Sequence, residues 1–153
     1  EHYSDTSLPQ FSEGGVKGRV LLGEWFGLKS PVSFPWDSLY VDLQMFDNGV
    51  VQFPKNHQER AVYSAQGAIE VDGVLYPESE LLILAPGREV QIVAPDGARV
   101  LVFGGEPLDG PRHFWWNFVS SDKDRIEQAK WDWLQGKFDR VTGDDEFIPL
   151  PDK

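Results

Sequence analysis

His57 and Glu59 are the residues of this sequence whose types and spacing come nearest to a metal site. Side chains two positions apart point to the same face of an extended strand, so this imidazole and this carboxylate could share a face. Imidazole nitrogen and carboxylate oxygen are both common ligands of divalent metals. Two ligands alone make a poor site, because affinity and selectivity depend on ligand number and geometry. The alternative is that His57 lies in a loop and Glu59 pairs with Lys55, Arg60 or solvent.

Nucleophilic catalysis has no support in the sequence. The chain contains no cysteine and no Gly-x-Ser-x-Gly elbow. The glycine-rich segment at 104–110 follows a strand pattern without opening a helix, so it lacks the context of a phosphate-binding loop. A general acid and base could be drawn from Glu59, Tyr63 or Glu70, but nothing in the sequence selects them. We therefore assign no catalytic residue.

An aromatic run, HFWWNF at 113–118, is the other conspicuous feature. If the run is one extended strand, its two faces are both apolar, which predicts that both are at least partly covered. Tryptophan is also common at binding hot spots, so an exposed aromatic patch that binds a partner is the alternative. The candidate residues for this packing or interaction surface are Phe114, Trp115, Trp116, Phe118 and Trp133, with Trp25, Trp36 and Trp131 as further candidates for a patch.

The elements around these residues are mostly short strands. Residues 38–46 alternate between apolar and polar types, as in a half-buried strand. Asp72-Gly73 predicts a tight hairpin, and Pro95-Asp96-Gly97 predicts a second hairpin with a slightly longer loop. Turn signals recur at intervals of about eight to twelve residues, which favours a β-sandwich or barrel. Residues 1–18 show little periodicity and are interpreted as a linker or N-terminal arm.

One helix is predicted at about 121–136, with Ser121 as its N-cap and Gly136 as its C-terminal stop. Its apolar stripe consists of Ile126, Ala129, Trp133 and Leu134. The prolines at 149 and 151 exclude a helix after it, so we expect an extended tail packed on the surface.

Charge and composition narrow the class of protein. The 153 residues carry a formal net charge of −11, which repels nucleic acid. No apolar run approaches the ~20 residues that a membrane span needs. The absence of cysteine fits a reducing compartment, so we expect a cytoplasmic protein.

Several segments resemble the C-terminal half of the pirin family, whose members are two-domain proteins of the cupin superfamily. The matching segments are GLKSPV at 27–32, AVYSAQGAIEVDG at 61–73, VLVFGGEPLDGPRHFWWNFVSS at 100–121, RIEQAKWDWLQGKF at 125–138 and FIPLP at 147–151. The resemblance implies an all-β fold over 19–153, a cupin double-stranded β-helix or jelly-roll barrel with one C-terminal α-helix and an extended tail. It also implies an N-terminal cupin half that lies outside this chain.

The resemblance carries little of the family's metal site onto this chain. The pattern His-Pro-His, three residues, Glu, seven residues, Gly aligns on Gly67 and puts Glu59 at the glutamate position. The two imidazole positions fall on Phe53 and Lys55, and the later histidine falls near Val90. Neither a phenyl ring nor an ammonium binds a metal. The resemblance therefore implies no cofactor in this chain, and iron or another divalent metal in an N-terminal half.

We accordingly expect a metal-free C-terminal cupin domain that acts as the structural and interaction half of a bicupin. Its partner would be the N-terminal cupin half or another protein surface, and the sequence leaves the oligomeric state open. One alternative is a quercetinase-like dioxygenase activity, which would reside in the N-terminal half. A second alternative is a metal-free barrel that binds a small ligand.

Overall fold

The computed structural model describes residues 3–140, 142–144 and 146–151. Within these residues the chain forms short strands, a 3₁₀ turn at Asp5–Ser7 and one α-helix. The strands are β1 (Gln10–Glu13), β2 (Val16–Leu22), β3 (Glu24–Trp25), β4 (Leu28–Lys29), β5 (Ser38–Met45), β6 (Gly49–Phe53), β7 (Glu59–Gln66), β8 (Ile69–Val71), β9 (Val74–Tyr76), β10 (Leu81–Ile83), β11 (Val90–Ala94), β12 (Ala98–Gly105), β13 (His113–Trp115) and β14 (Phe118–Ser120). The helix α1 is Lys123–Leu134.

The chain divides into two compact units, Glu1–Pro107 and Leu108–Lys153. The first unit is built from two antiparallel sheets, one ordered β1-β2-β5-β12-β7-β10 and the other β6-β11-β8-β9. Inward-facing side chains of both sheets form one hydrophobic core. The predicted alternation of β5 is confirmed, because Leu39, Val41, Leu43 and Met45 are buried and the residues between them are not.

The two predicted hairpins have different outcomes. Asp72 and Gly73 adopt φ angles of 49° and 83° and join β8 to β9, as the Asp-Gly signal predicts. The second prediction is wrong, because β11 and β12 belong to different sheets. The Pro95-Asp96-Gly97 turn carries the chain from one sheet to the other, which a local turn signal does not distinguish from a hairpin.

The segment interpreted as an N-terminal arm contains β1 and the start of β2, which form a hairpin at the edge of the larger sheet. Gly14 and Gly15 are the central residues of its turn, with φ angles of 59° and 74°. At Gly18, the cross-strand partner of Phe11, a Cβ atom would lie 2.1 Å from the phenyl ring. The glycines of this segment therefore serve a tight turn and a close contact rather than a flexible linker.

The second unit contains a hairpin, β13–β14, and the helix α1, which packs on it. The helix begins after Asp122, whose carboxylate accepts a hydrogen bond from Asp124 N at 2.8 Å, so Asp122 rather than the predicted Ser121 is the N-cap. It ends in a Schellman motif, with Gly136 N donating to Trp133 O and Lys137 N donating to Asp132 O. Among the described residues, no helix is long and apolar enough to span a bilayer.

The aromatic run is not one strand. β13 ends at Trp115, the chain reverses at Trp116 and Asn117, and Phe118 starts β14 opposite Trp115. The interpretation of the run as one extended strand with two apolar faces is therefore wrong. Trp116 adopts a φ of 51°, a left-handed conformation that is uncommon for a bulky residue and that this reversal requires.

Candidate functional site

The barrel interior is filled at the positions where the sequence comparison places imidazoles. Phe53 at the end of β6 is fully buried, and Val90, its partner across the sheet, is 2% exposed. Lys55 follows β6 and points to solvent, and Glu59 at the start of β7 is exposed. The family's four-ligand site does not fit these residues, because two apolar side chains occupy the space and neither can bind a metal.

Arg60 turns inward at this end of the barrel and is 2% exposed. It shares the inward face of β7 with Val62 and Ser64, so strand alternation leaves Glu59 on the outward face. The guanidinium donates from Nη1 to Pro54 O at 2.9 Å and from Nη2 to Ala85 O at 2.6 Å.

Burial lowers the pKa of Arg60 from its ordinary value, and the positive charge of Arg88 lowers it further. An arginine remains cationic at neutral pH despite such a shift, because its ordinary pKa is so high. A fixed positive charge on the inward face opposes the binding of a second cation there. At the family's ligand positions the barrel therefore holds apolar side chains, and the nearby guanidinium opposes a metal ion there.

His57 and Glu59 do not combine into a His-x-Glu site. His57 precedes β7, so the alternation that would align the two side chains does not extend to it. Its ring instead lies against Gly104, where a Cβ atom would be 2.9 Å from the imidazole. A carboxylate oxygen of Asp37 lies 3.9 Å from Nδ1 of His57, which is longer than a hydrogen bond.

Asp37, His57 and Glu106 form a cluster in which the ligand atoms all lie within 4.8 Å of one another. Strand register explains why these residues meet. Gly105 at the end of β12 pairs with Ser38 at the start of β5 and with Glu59 at the start of β7. Residues just beyond these three strand ends therefore lie at one edge of the sheet.

Two hydrogen bonds hold the carboxylate-bearing segments of this cluster together. The backbone N–H of Glu106 donates to the carbonyl of Asp37 at 3.2 Å. The indole N–H of Trp36 donates to the carbonyl of Glu106 at 2.9 Å. Trp36, a candidate for an exposed aromatic patch, is thus a half-buried residue that ties two loops together.

A cavity of about 460 Å³ adjoins the cluster. Its apolar wall includes Trp25, Leu39 and Phe53, and its polar wall includes Asp37 and His57. Trp25 is 1% exposed, and its indole N–H has no hydrogen-bond partner among the described residues. Trp25 is therefore a core residue rather than part of an exposed patch.

The aromatic candidates of the second unit mostly pack on one another. Trp133 of α1 is the centre of this cluster, with ring centroids 5.1 Å from Trp116 and 6.2 Å from Phe118. The ring of Trp115 stacks with Phe118 at 6.3 Å. Phe114 differs, because it lies on β13 opposite Val119 and is 74% exposed.

Sequence reasoning missed Asp37 and Glu106 as candidates. Their local sequences, FPWD and GGEP, contain no ligand spacing, and the two residues meet His57 only through the pairing of β12 with β5 and β7. The sequence of either segment alone therefore carries no signal of this cluster.

The two antiparallel sheets around one core form a barrel of the cupin class. The profile of the Pirin C-terminal cupin domain matches residues 40–139. The chain belongs to the pirin family, and it has the C-terminal cupin domain of that family.

Three relatives illustrate the similarity. A pirin-like protein of Caulobacter vibrioides is 43% identical over 152 residues, which cover 99% of this chain and 52% of that protein. A crystal structure of quercetin 2,3-dioxygenase from Acinetobacter baumannii superimposes with a TM-score of 0.86 at 29% identity, covering 100% of this chain and 52% of that one. A second Acinetobacter baumannii structure of the same name has a TM-score of 0.80 at 25% identity, covering 88% and 49%. The chain thus spans about half the length of the relatives it matches.

Proposed function

We propose that this pirin-type cupin domain is the structural and interaction half of a two-barrel protein, and that its barrel performs no metal chemistry. The observation that carries the proposal is the interior of the barrel, where Phe53, Val90 and the guanidinium of Arg60 stand in place of a ligand set. A barrel without a ligand set at these positions would act through contacts of its surface with other protein. The absence of cysteine supports placing this function in the cytoplasm.

The outer face of the larger sheet supports an interaction role. Tyr63 lies between Leu81 and Leu101 across the sheet, and all three point away from the core. The neighbouring row places Ala61 between Ile83 and Phe103. Leu81 is 57% exposed and Ile83 is 77% exposed. Contiguous exposed apolar surface of this kind marks interaction sites in soluble proteins.

The occupant that fits this face is a second cupin barrel. The curated relative of Caulobacter vibrioides contains about as much chain again as the part that matches here, since the match covers 52% of it. The edge strand β10 has only three residues, so main-chain pairing contributes little, and the contact would rest on apolar side chains.

The dioxygenase named in the Acinetobacter structures is, under this proposal, an activity of the other half. Three of the four family ligand positions in this chain hold Phe53, Lys55 and Val90. We therefore expect the isolated chain, supplied with Fe²⁺, to show no quercetin turnover.

Co-expression tests the proposal. The chain would be produced together with the remaining half of the Caulobacter relative as a separate polypeptide, and association would be measured by sedimentation and titration calorimetry. We expect a 1:1 complex that Ile83→Lys weakens at least tenfold, which is about 1.4 kcal/mol. Val74→Lys is the matched control, because Val74 is 53% exposed on β9 of the other sheet and should leave the affinity within twofold.

Two binding results would contradict the proposal. One is a failure of the unmodified chain to form a complex under conditions where both polypeptides are folded. The other is equal weakening by Ile83→Lys and Val74→Lys, which would move the contact away from the outer face of the larger sheet. Quercetin turnover by the isolated chain would also contradict the proposal, because it would place the dioxygenase activity in this barrel rather than in the other half.

A further inference from the structure

The cluster of Asp37, His57 and Glu106 lies outside the family's ligand positions and uses three different residues. The three side chains come from the loop before β5, the loop before β7 and the end of β12. Their ligand atoms lie within 4.8 Å of one another. Two carboxylates and one imidazole form a donor set that suits borderline divalent cations such as Zn²⁺.

Two buried polar atoms at or beside this site have no hydrogen-bond partner among the described residues. His57 Nδ1 is inaccessible to solvent and makes no hydrogen bond with any described residue, although a carboxylate oxygen of Asp37 lies 3.9 Å away. The indole N–H of Trp25, which lines the adjoining cavity, is likewise buried and unpaired within the described chain. Glu106 forms no ion pair with a described lysine or arginine.

The backbone prepares this arrangement before any ion binds. The hydrogen bonds from Glu106 N to Asp37 O and from Trp36 Nε1 to Glu106 O join the two carboxylate segments. Gly104 leaves the space that the imidazole of His57 fills. Ligands held by such supporting contacts lose less entropy on binding than free side chains.

We propose that Asp37, His57 and Glu106 bind one divalent cation of the Zn²⁺ type at the edge of the barrel. Ligand atoms about 2.0 Å from a tetrahedral zinc lie roughly 3.3 Å apart, so the cluster closes by an inward movement on the order of 1 Å. Rotation of the Asp37 side chain, which is 65% exposed, can supply much of that movement. The adjoining cavity admits the water that completes the coordination.

This site revises the expectation that the chain holds no metal, without restoring the family's site. The family's ligand positions fall on Phe53, Lys55, Glu59 and Val90, and none of these residues belongs to the cluster. The cation proposed here would tie the start of β5, the start of β7 and the end of β12 together. The interaction function proposed above does not depend on it.

Titration of the purified, chelator-treated protein with Zn²⁺ tests the proposal. We expect one Zn²⁺ per chain, and binding of Mg²⁺ at least tenfold weaker because the imidazole favours the softer ion. His57→Gln and Glu106→Gln should each weaken Zn²⁺ binding at least tenfold. Glu59→Gln is the matched control, because Glu59 is an exposed carboxylate near the cluster, and we expect a change below twofold.

Gly104→Ala tests positioning without removing a ligand. The added Cβ would lie 2.9 Å from the imidazole, so the ring must move and Zn²⁺ affinity should fall severalfold while the folded circular dichroism spectrum persists. Absorption of the Co²⁺-loaded protein gives an independent signature, since a nitrogen and oxygen donor set produces visible bands that His57→Gln should alter.

Specific outcomes would overturn the proposal. They are no Zn²⁺ binding by the unmodified protein, equal loss in Glu59→Gln and Glu106→Gln, or Zn²⁺ binding that His57→Gln leaves intact. Ile83→Lys should leave Zn²⁺ binding unchanged, so failure of the cation site and failure of the interaction role are separate results.

Discussion

The guanidinium carbon of Arg60 lies 5.3 Å from the centre of the Phe53 ring, inside one end of the barrel. Arg60 is 2% exposed and Phe53 is fully buried. The pair combines a cation with the face of an aromatic ring, and the carbonyls of Pro54 and Ala85 accept the guanidinium hydrogens. A structural contact therefore occupies the part of the barrel where the family's ligands would lie.

Replacement of Arg60 should destabilise the barrel. In Arg60→Met, the carbonyls of Pro54 and Ala85 lose a charged donor, and we expect the free energy of unfolding to fall by about 2 kcal/mol. Arg60→Lys should cost about 1 kcal/mol, because one ammonium cannot reproduce the planar fork that serves both carbonyls. Urea denaturation followed by circular dichroism measures both changes.

Arg99 provides the control for this prediction. It forms a bidentate pair with Asp42, but its side chain is 55% exposed. Solvent weakens such a pair, so Arg99→Met should lower the free energy of unfolding by less than Arg60→Met does. If Arg60→Met cost no more than Arg99→Met, the inward guanidinium would not be a significant structural element.

Gly18 and Phe11 should be energetically coupled. A Cβ at position 18 would lie 2.1 Å from the Phe11 ring and 3.0 Å from Leu43 Cδ2. We therefore expect Gly18→Ala to reduce the free energy of unfolding by about 1–3 kcal/mol, the range for overpacked sites. In a Phe11→Ala background the same change should cost much less.

A double-mutant cycle from thermal or urea unfolding quantifies this coupling. Strict additivity of the two substitutions would mean that the Phe11 ring does not rest on Gly18. The prediction also tests whether β1 is part of the folded sheet, because a mobile arm would tolerate both substitutions.

Trp133 and Trp131 occupy the same helix and should respond differently. The Trp133 ring contacts several aromatic rings, and its indole N–H donates to Ile148 O at 2.9 Å. Trp131 is 49% exposed, and Lys137 Nζ lies 3.6 Å from its ring centre. We expect Trp133→Ala to destabilise the unit by about 3 kcal/mol and Trp131→Ala by less than about 1 kcal/mol.

Hydrogen exchange of the α1 amides measures how far Trp133→Ala and Trp131→Ala each destabilise the unit that contains the helix. Trp133→Phe should lie between the two alanine variants, because the ring remains while the hydrogen bond to Ile148 is lost. Similar exchange in Trp131→Ala and Trp133→Ala would show that the aromatic cluster does not stabilise the helix.

Parts of the fold and the site could be predicted from the sequence because they rest on local physics. The period of β5, the Asp72-Gly73 turn and the Gly136 helix stop all follow from the backbone preferences of a few adjacent residues. The Pro95-Asp96-Gly97 turn shows the limit of this reasoning, since turn chemistry does not state which sheet the next strand joins. Trp116 shows the same limit, because the chain reverses there although the run of residue types is compatible with one continuous strand.

The sequence by itself determined the β-rich class and the predicted helix, since these depend on residue type and local period, and its resemblance to the pirin family implied that Phe53 and Lys55 stand at two imidazole positions. Only the tertiary structure decided that Arg60 rather than Glu59 faces inward, and that Asp37 and Glu106 meet His57. The physical reason is register. β12 pairs with β5 and β7, so one edge of the sheet gathers residues that lie far apart along the chain.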